Sequence, residues 1–217
     1  MVSNSGASNA ERTLTYVEES VVEDDILRAA RERAEDLGAA PVPPAVGALL
    51  SISAQMVGAK AVAEVGTGAG VSGLWLLDGM RTDGILTSID SEPEHQRAAK
   101  AAFRSADIAP SRTRLINGRA AEVLSRLADD AYDLVFLDTT PLEHPLYIEY
   151  AVRLLRPGGA LLMHYALLGG SVSDPAQRDP ATLAIRAAAR AVADNPTMTS
   201  VLIPLGEGLL CASRCRD

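Results

Sequence analysis

Aromatic side chains are scarce in this chain: Phe, Trp and Tyr make up 4% of its 217 residues. Its hydrophobic fraction of 47% is that of a globular protein, so the core must rest on Ala, Val, Leu and Ile. Cysteine is nearly absent. Cys211 and Cys215 lie four positions apart, with no CxxC pair or His-rich partner segment. That excludes the usual zinc signatures, and the two are read as reduced thiols. Positive charge is in deficit, with 20 Lys and Arg against 28 Asp and Glu and a formal net charge of -8. The arginines are scattered and never form a basic run. This argues against a nucleic-acid partner, because phosphate backbones demand clustered cations. A small-molecule partner fits better. No apolar stretch reaches the roughly 18 residues of a membrane span. The N-terminus lacks the basic-then-apolar order of a signal peptide. These absences predict a cytoplasmic protein with no membrane partner.

What is present is a repeated alternation of strand and helix patterns. Residues 1–10 are rich in Ser, Asn, Gly and Ala and read as a disordered lead-in, with one domain over 11–217. Helical spacing over 24–37 stops at Gly38, and Pro44 opens a second helix over 45–57. Strands are then expected at 61–65, 85–90, 113–116, 132–138 and 160–164. The helices between them are expected at 71–77, 93–106, 120–127 and 147–155. A Gly, Ser and Pro rich loop covers 169–180, a helix 181–193, and two last strands, 198–204 and 209–213, flank a glycine turn. This predicts an α/β fold: a Rossmann-like, seven-stranded, mostly parallel sheet with one antiparallel edge strand and helices on both faces.

The segment Glu64-Val65-Gly66-Thr67-Gly68-Ala69-Gly70 follows the first strand and opens a helix. Such a turn lets a ligand approach the backbone at a helix N-terminus. Two registers compete. Gly68 to Gly73 fits G-x-G-x-x-G, the dinucleotide fingerprint of an NAD(P)-dependent reductase. Glu64 to Gly70 fits the E/D-x-G-x-G-x-G loop of S-adenosylmethionine enzymes. A carboxylate at the strand tip repels a pyrophosphate and suits a ligand carrying an ammonium and a sulfonium, and the loop holds no Lys or Arg. Electrostatics therefore favours S-adenosylmethionine. Asp90 closes the second strand, where an acidic side chain accepts ribose hydroxyls; as an alternative, Asp90 or Ser91 caps the helix that follows.

With the loop, Asp90, Phe136-Leu137-Asp138 and Arg156-Pro157-Gly158-Gly159 in view, the chain resembles the catechol and caffeoyl-CoA O-methyltransferase-like enzymes, and among them the bacterial, especially actinobacterial, O-methyltransferases. Pro44 to Leu50 and Pro204 to Gly208 carry the same resemblance, which runs from about Asp24 to the C-terminus. It implies O-methylation of a small, aromatic hydroxyl acceptor and commonly a homodimer. It implies that Val42 lies over the methionine end of the cofactor, that Glu64, Gly66, Thr67, Gly68 and Ser72 surround its carboxylate and ammonium, that Asp90 and Ser91 hold the ribose, that Ala120 touches the adenine side, and that Asp138 sits near the methyl group.

The chain departs from that family at two places. The family's D-A-D-K segment reads Asp138-Thr139-Thr140-Pro141 here, and its later Asp-Asn reads His164-Tyr165. One surviving carboxylate anchors magnesium or calcium poorly, so no divalent metal is expected. The methyl transfer then needs alignment and a deprotonated acceptor. Asp138 and His164 are the catalytic candidates, with His164 as the base because imidazole titrates near neutrality. Tyr165 and His144 are weaker candidates, His144 being expected at the surface. Retention of the cofactor fold without catalysis is the alternative that these departures motivate.

Overall fold

The computed structural model describes residues 8–216. Seven strands of the described residues form one sheet: β1 (Ala61–Val65), β2 (Ile85–Asp90), β3 (Thr113–Asn117), β4 (Tyr132–Leu137), β5 (Leu155–Met163), β6 (Met198–Ile203) and β7 (Leu209–Arg214). Their order is β3-β2-β1-β4-β5-β7-β6. The first five strands are parallel, and β7 runs antiparallel to both of its neighbours. The Rossmann-like, mostly parallel sheet expected from the strand-helix alternation is the fold observed. Its single antiparallel strand is the penultimate one, because β7 folds back between β5 and β6. The turn that permits this has Gly206 and Gly208 at positive φ, +55° and +90°.

Among the described residues eight helices cover the sheet: α1 (Asn9–Glu19), α2 (Asp25–Asp36), α3 (Pro44–Met56), α4 (Val71–Gly79), α5 (Pro93–Ser105), α6 (Ala120–Leu124), α7 (His144–Leu154) and α8 (Pro180–Ala193). Period-two alternation distributes each strand between two apolar layers. In β4, Leu134 and Phe136 pack with Val46, Leu50, Leu77 and Phe103 on the α2–α5 side. Val135 and Leu137 pack with Tyr147, Ile148, Ile185 and Val192 on the α7–α8 side. The chain leaves β1 for β2 and β3 on one side and returns to β4 on the other. A crevice opens at the carboxyl ends of the strands where the order reverses, the usual ligand position in such sheets. Among the described residues no helix is long and apolar enough to cross a membrane.

Several boundaries differ from the sequence expectation. α1 begins at Asn9, so the last residues of the expected lead-in are a capped helix start; residues 1–7 lie outside the described residues. Ser8 and Glu11 form a capping box, a signal present in the sequence as S-x-x-E. α7 begins at His144, with Pro145 in its first turn, rather than at 147. β5 begins at Leu155 rather than at 160, because the Arg156-Pro157-Gly158-Gly159 turn is an irregularity within the strand, where Tyr132 pairs with Leu155 and Leu134 with Ala160. α6 ends at Leu124 rather than at 127.

Candidate active site

The β1–α4 turn depends on three glycines at positive φ, Gly66 at +96°, Gly68 at +47° and Gly70 at +92°. Each does something different. A Cβ on Gly66 would lie 1.8 Å from the Asp138 carbonyl oxygen, so the loop presses directly on the end of β4. A Cβ on Gly68 would meet nothing closer than Ala39 Cβ at 3.9 Å, and the cleft opens beside it. Gly70 instead backs onto Ala99 and Phe103 of α5, and Gly73 onto Phe103. The dinucleotide register needs its second glycine facing the ligand. Here that glycine is Gly70, which faces α5. The geometry favours the register in which Gly66 and Gly68 front the ligand.

Glu64 is fully buried. It lies on the same face of β1 as Val62, turned toward α4. Its two carboxylate oxygens accept hydrogen bonds from Ser72 Oγ at 2.6 Å and Ser88 Oγ at 2.5 Å. Thr67 Oγ1 joins Ser88 Oγ at 2.7 Å, and Gln96 Nε2 donates to Thr67 Oγ1 at 3.0 Å. Burial pushes the Glu64 pKa up to about 7, against the pull of the two serines. Glu64 and Ser72, both expected near the ligand, are placed differently. Ser72, Thr67 and Val42 line a small recess of about 20 Å³ beside the loop, whereas Glu64 lines neither the recess nor the cleft and fixes the serines from behind.

The cleft itself has a volume of about 540 Å³, within the range that encloses a ligand of nucleoside size. Gly66, Gly68, Asp90, Ser91, Ala120 and Asp138 all line it, although they come from four separate chain segments. Asp90 closes β2 and accepts from Gly68 N at 3.0 Å and Glu92 N at 2.9 Å. Asp90 therefore holds both the glycine loop and the start of the next helix.

Asp138 follows β4 and extends the sheet pairing, its amide donating to Val65 O at 2.8 Å. His164 follows β5 and donates its amide to Leu137 O at 2.9 Å. Adjacent parallel strands thus bring His164 Nδ1 within 3.0 Å of Asp138 Oδ1. Asp138 reaches the cleft, but His164 does not line it. His164 is only 3% exposed, and its Nε2 is directed toward Gly206 and has no hydrogen-bond partner among the described residues. His164, the expected base, is therefore placed behind the Asp138 carboxylate and away from the cleft wall. Tyr165 does line the cleft, in a left-handed conformation with φ +59°, and burial beside Asp138 raises its phenol to about 12. Its ring centroid lies 4.4 Å from that of His164. Among the described residues no three His, Cys, Asp or Glu side chains converge in a way that can hold a metal ion.

The sequence pattern of the O-methyltransferase family matches residues 16–215. This chain belongs to that family. A relative from Mycobacteroides abscessus that carries an O-methyltransferase name is 59% identical over 214 residues, which cover 99% of this chain and 100% of the relative. Among solved structures, a protein from Corynebacterium glutamicum is similar at 36% identity and a TM-score of 0.90, covering 97% of this chain and 99% of its own. The O-methyltransferase TomG from Streptomyces achromogenes, involved in tomaymycin synthesis and solved in complex with S-adenosylmethionine, is similar at 26% identity and a TM-score of 0.85, covering 96% of this chain and all of its own.

Several side chains at this O-methyltransferase's cleft carried no signal readable in the sequence. His95, Arg119 and Glu143 line it. His95 lies in the first turn of α5, five positions after Asp90, inside an ordinary charged stretch, and nothing in that stretch singles it out. His144 corrects an expectation: it is fully buried, not at the surface, and neither ring nitrogen has a well-formed hydrogen bond among the described residues. Pro145 places it in the first turn of a helix whose apolar face packs on the sheet, which is why it turns inward.

Proposed function

We propose that this chain transfers the methyl group of S-adenosylmethionine to a hydroxyl of a small, aromatic acceptor, and that it does so without a divalent metal. One observation carries the reading: Gly66, Gly68, Asp90 and Asp138 open onto one cleft at the strand-order reversal, with Gly70 and Gly73 turned away from it. Bound there, S-adenosylmethionine supplies an electrophilic methyl group on a sulfonium, displaced with sulfur leaving as a neutral thioether. The chain's own residues do the rest. Asp90 accepts from the sugar, the loop amides meet the polar end, and Asp138 faces the acceptor hydroxyl. Asp138 receives the proton as the new oxygen–carbon bond forms. His164, hydrogen-bonded from behind, holds the carboxylate in place and shares the charge.

Metal independence rests on the donor set. Where the family pattern has a second Asp and a later Asp-Asn, this chain has Thr140 and His164-Tyr165, so Asp138 is the one carboxylate of that set that remains. The test is methyl transfer from radiolabelled cofactor to a panel of phenols and catechols. Chelator-treated protein is expected to retain its rate. A rate abolished by chelation and restored by magnesium would sink this half of the proposal. Calorimetric titration with S-adenosylhomocysteine and with NAD(P) checks the cofactor directly, and only the former is expected to bind. A homodimer is also expected, in keeping with exposed Val201 and Leu202 on the edge strand β6, and light scattering reads it.

A further inference from the structure

We propose that His95 is a cofactor-contacting residue that shares the nucleoside sugar with Asp90. This inference rests on the S-adenosylmethionine reading above. It follows from counting acceptor sites. A carboxylate offers about four lone-pair positions and no donor. Three are used within the chain: Oδ2 accepts from Gly68 N at 3.0 Å and from His95 Nδ1 at 3.2 Å, and Oδ1 accepts from Glu92 N at 2.9 Å. About one position remains, whereas a ribose presents two vicinal hydroxyl donors. Asp90 takes one of them, and the other needs a second acceptor at the same end of the cleft.

His95 provides it. Because the Asp90 carboxylate only accepts, the proton of the neutral imidazole sits on Nδ1. That leaves Nε2 as an acceptor. The ring lines the cleft and is one-fifth exposed, while Asp90 is nearly buried. It is held on both sides: the Asp90 bond fixes the ring, and α5, whose first turn Pro93 opens, fixes its backbone. Asp90 O does not compete for the sugar, because it already accepts from Asn117 Nδ2 at 3.1 Å and Gly118 N at 2.9 Å. The sugar is thus bracketed by a carboxylate and an imidazole in direct contact with each other. Gly68 hangs from the same Asp90 oxygen, so the sugar site and the glycine loop are one hydrogen-bonded unit.

The experiment is calorimetric titration of the full-length protein with S-adenosylhomocysteine and with its 2′-deoxy and 3′-deoxy forms, for wild type, His95→Ala and His95→Gln. His95→Ala is expected to weaken S-adenosylhomocysteine binding about tenfold. It is expected to have little further effect on whichever deoxy ligand lacks the hydroxyl that Nε2 receives. His95→Gln, whose amide oxygen reaches the Nε2 position, is expected to recover most of the loss. Thermal melting of the free proteins checks that all three fold alike. Equal affinity of wild type and His95→Ala overturns the inference while leaving the cofactor reading intact. So does an equal loss across all three ligands, which means that the ring merely props the loop. Failure of wild type to bind S-adenosylhomocysteine at all overturns both together.

Discussion

At the scale of single residues, two buried titrating groups pull stability in opposite directions with pH. Glu64 has its pKa raised to about 7 by burial, so the folded state holds a proton that the unfolded state releases near 4.5. Stability from this group is full at low pH and falls as pH rises from about 4.5 to about 7, by roughly 3 kcal/mol across the window. Glu64→Gln is expected to flatten that slope in denaturant titrations across pH, and an unchanged slope would refute the assignment. His144 has its pKa lowered from 6.5, chiefly by burial, with Asp138 and the nearby Pro141 and Thr140 backbone opposing. Its contribution is lost as pH falls below about 6.5, since the unfolded imidazole binds a proton that the folded one resists. His144→Leu is expected to remove that acid-side loss. Asp138 and His164 are separated by kinetics. Asp138→Asn is expected to lower kcat by 10²-fold or more, the usual scale of a general base, with S-adenosylhomocysteine affinity nearly unchanged. His164→Asn, which keeps a donor to Asp138 Oδ1, is expected to lower kcat far less than His164→Phe and to shift the pH profile. Equal losses in the two variants would count against a hydrogen-bonding role.

At the scale of elements, the segment carrying Val42 is secured from the N-terminal helices. Arg31 of α2 donates to Val42 O at 2.9 Å while its guanidinium is paired with Glu23, which Trp75 Nε1 also approaches. Glu18 of α1 accepts from Ala45 N at 2.8 Å and so caps α3, whose own N-cap, Pro43, has no side-chain acceptor. Arg31→Ala is expected to weaken cofactor binding about tenfold, with a smaller change in kcat, because it frees the strap over the recess; titration calorimetry beside steady-state kinetics reads the difference. Much of this architecture was legible. Glycine, proline and period-two spacing located the strands, the α4 and α5 starts and the cleft-facing acids, because those features are local. The misses were long-range. The sequence alone gave no hint that Glu64 faces α4, since strand parity relative to the core is set only when the helix docks. Nor could spacing reveal that His164 stands behind Asp138, because that depends on the register of β4 against β5. The capping box of α1 was visible in Ser8 and Glu11 but lay inside a stretch whose composition resembles a tail.

At the scale of the whole molecule, the sheet has a chemical end and an anchoring end. At the amino-terminal edge of β4, Asp133 accepts from Lys60 N at 2.7 Å, Ala61 N at 2.8 Å and Arg156 Nε, joining β1, β4 and β5 far from the cleft. Burial alone would raise its pKa, but these donors outweigh it and hold the group below the usual carboxylate value. The stability it supplies is therefore lost only as pH falls below about 3.8. Asp133→Ala is expected to cost about 2 kcal/mol by orphaning its donors, seen as a lower Tm, with kcat/KM on the folded protein unchanged. A large fall in kcat/KM would show that the two ends are not independent. At the chemical end the Gly66 backbone lies hard against the Asp138 carbonyl, with no room for even one methyl group between them. The glycine loop and the Asp138 segment, the proposed donor cradle and base, are therefore packed as one wall. Any drift that spoiled the alignment of donor and base would have to break the sheet itself. Under the proposed chemistry, a new acceptor is met by rebuilding the other wall, around Thr139 to Glu143 and Tyr165, with the donor side of the cleft unchanged.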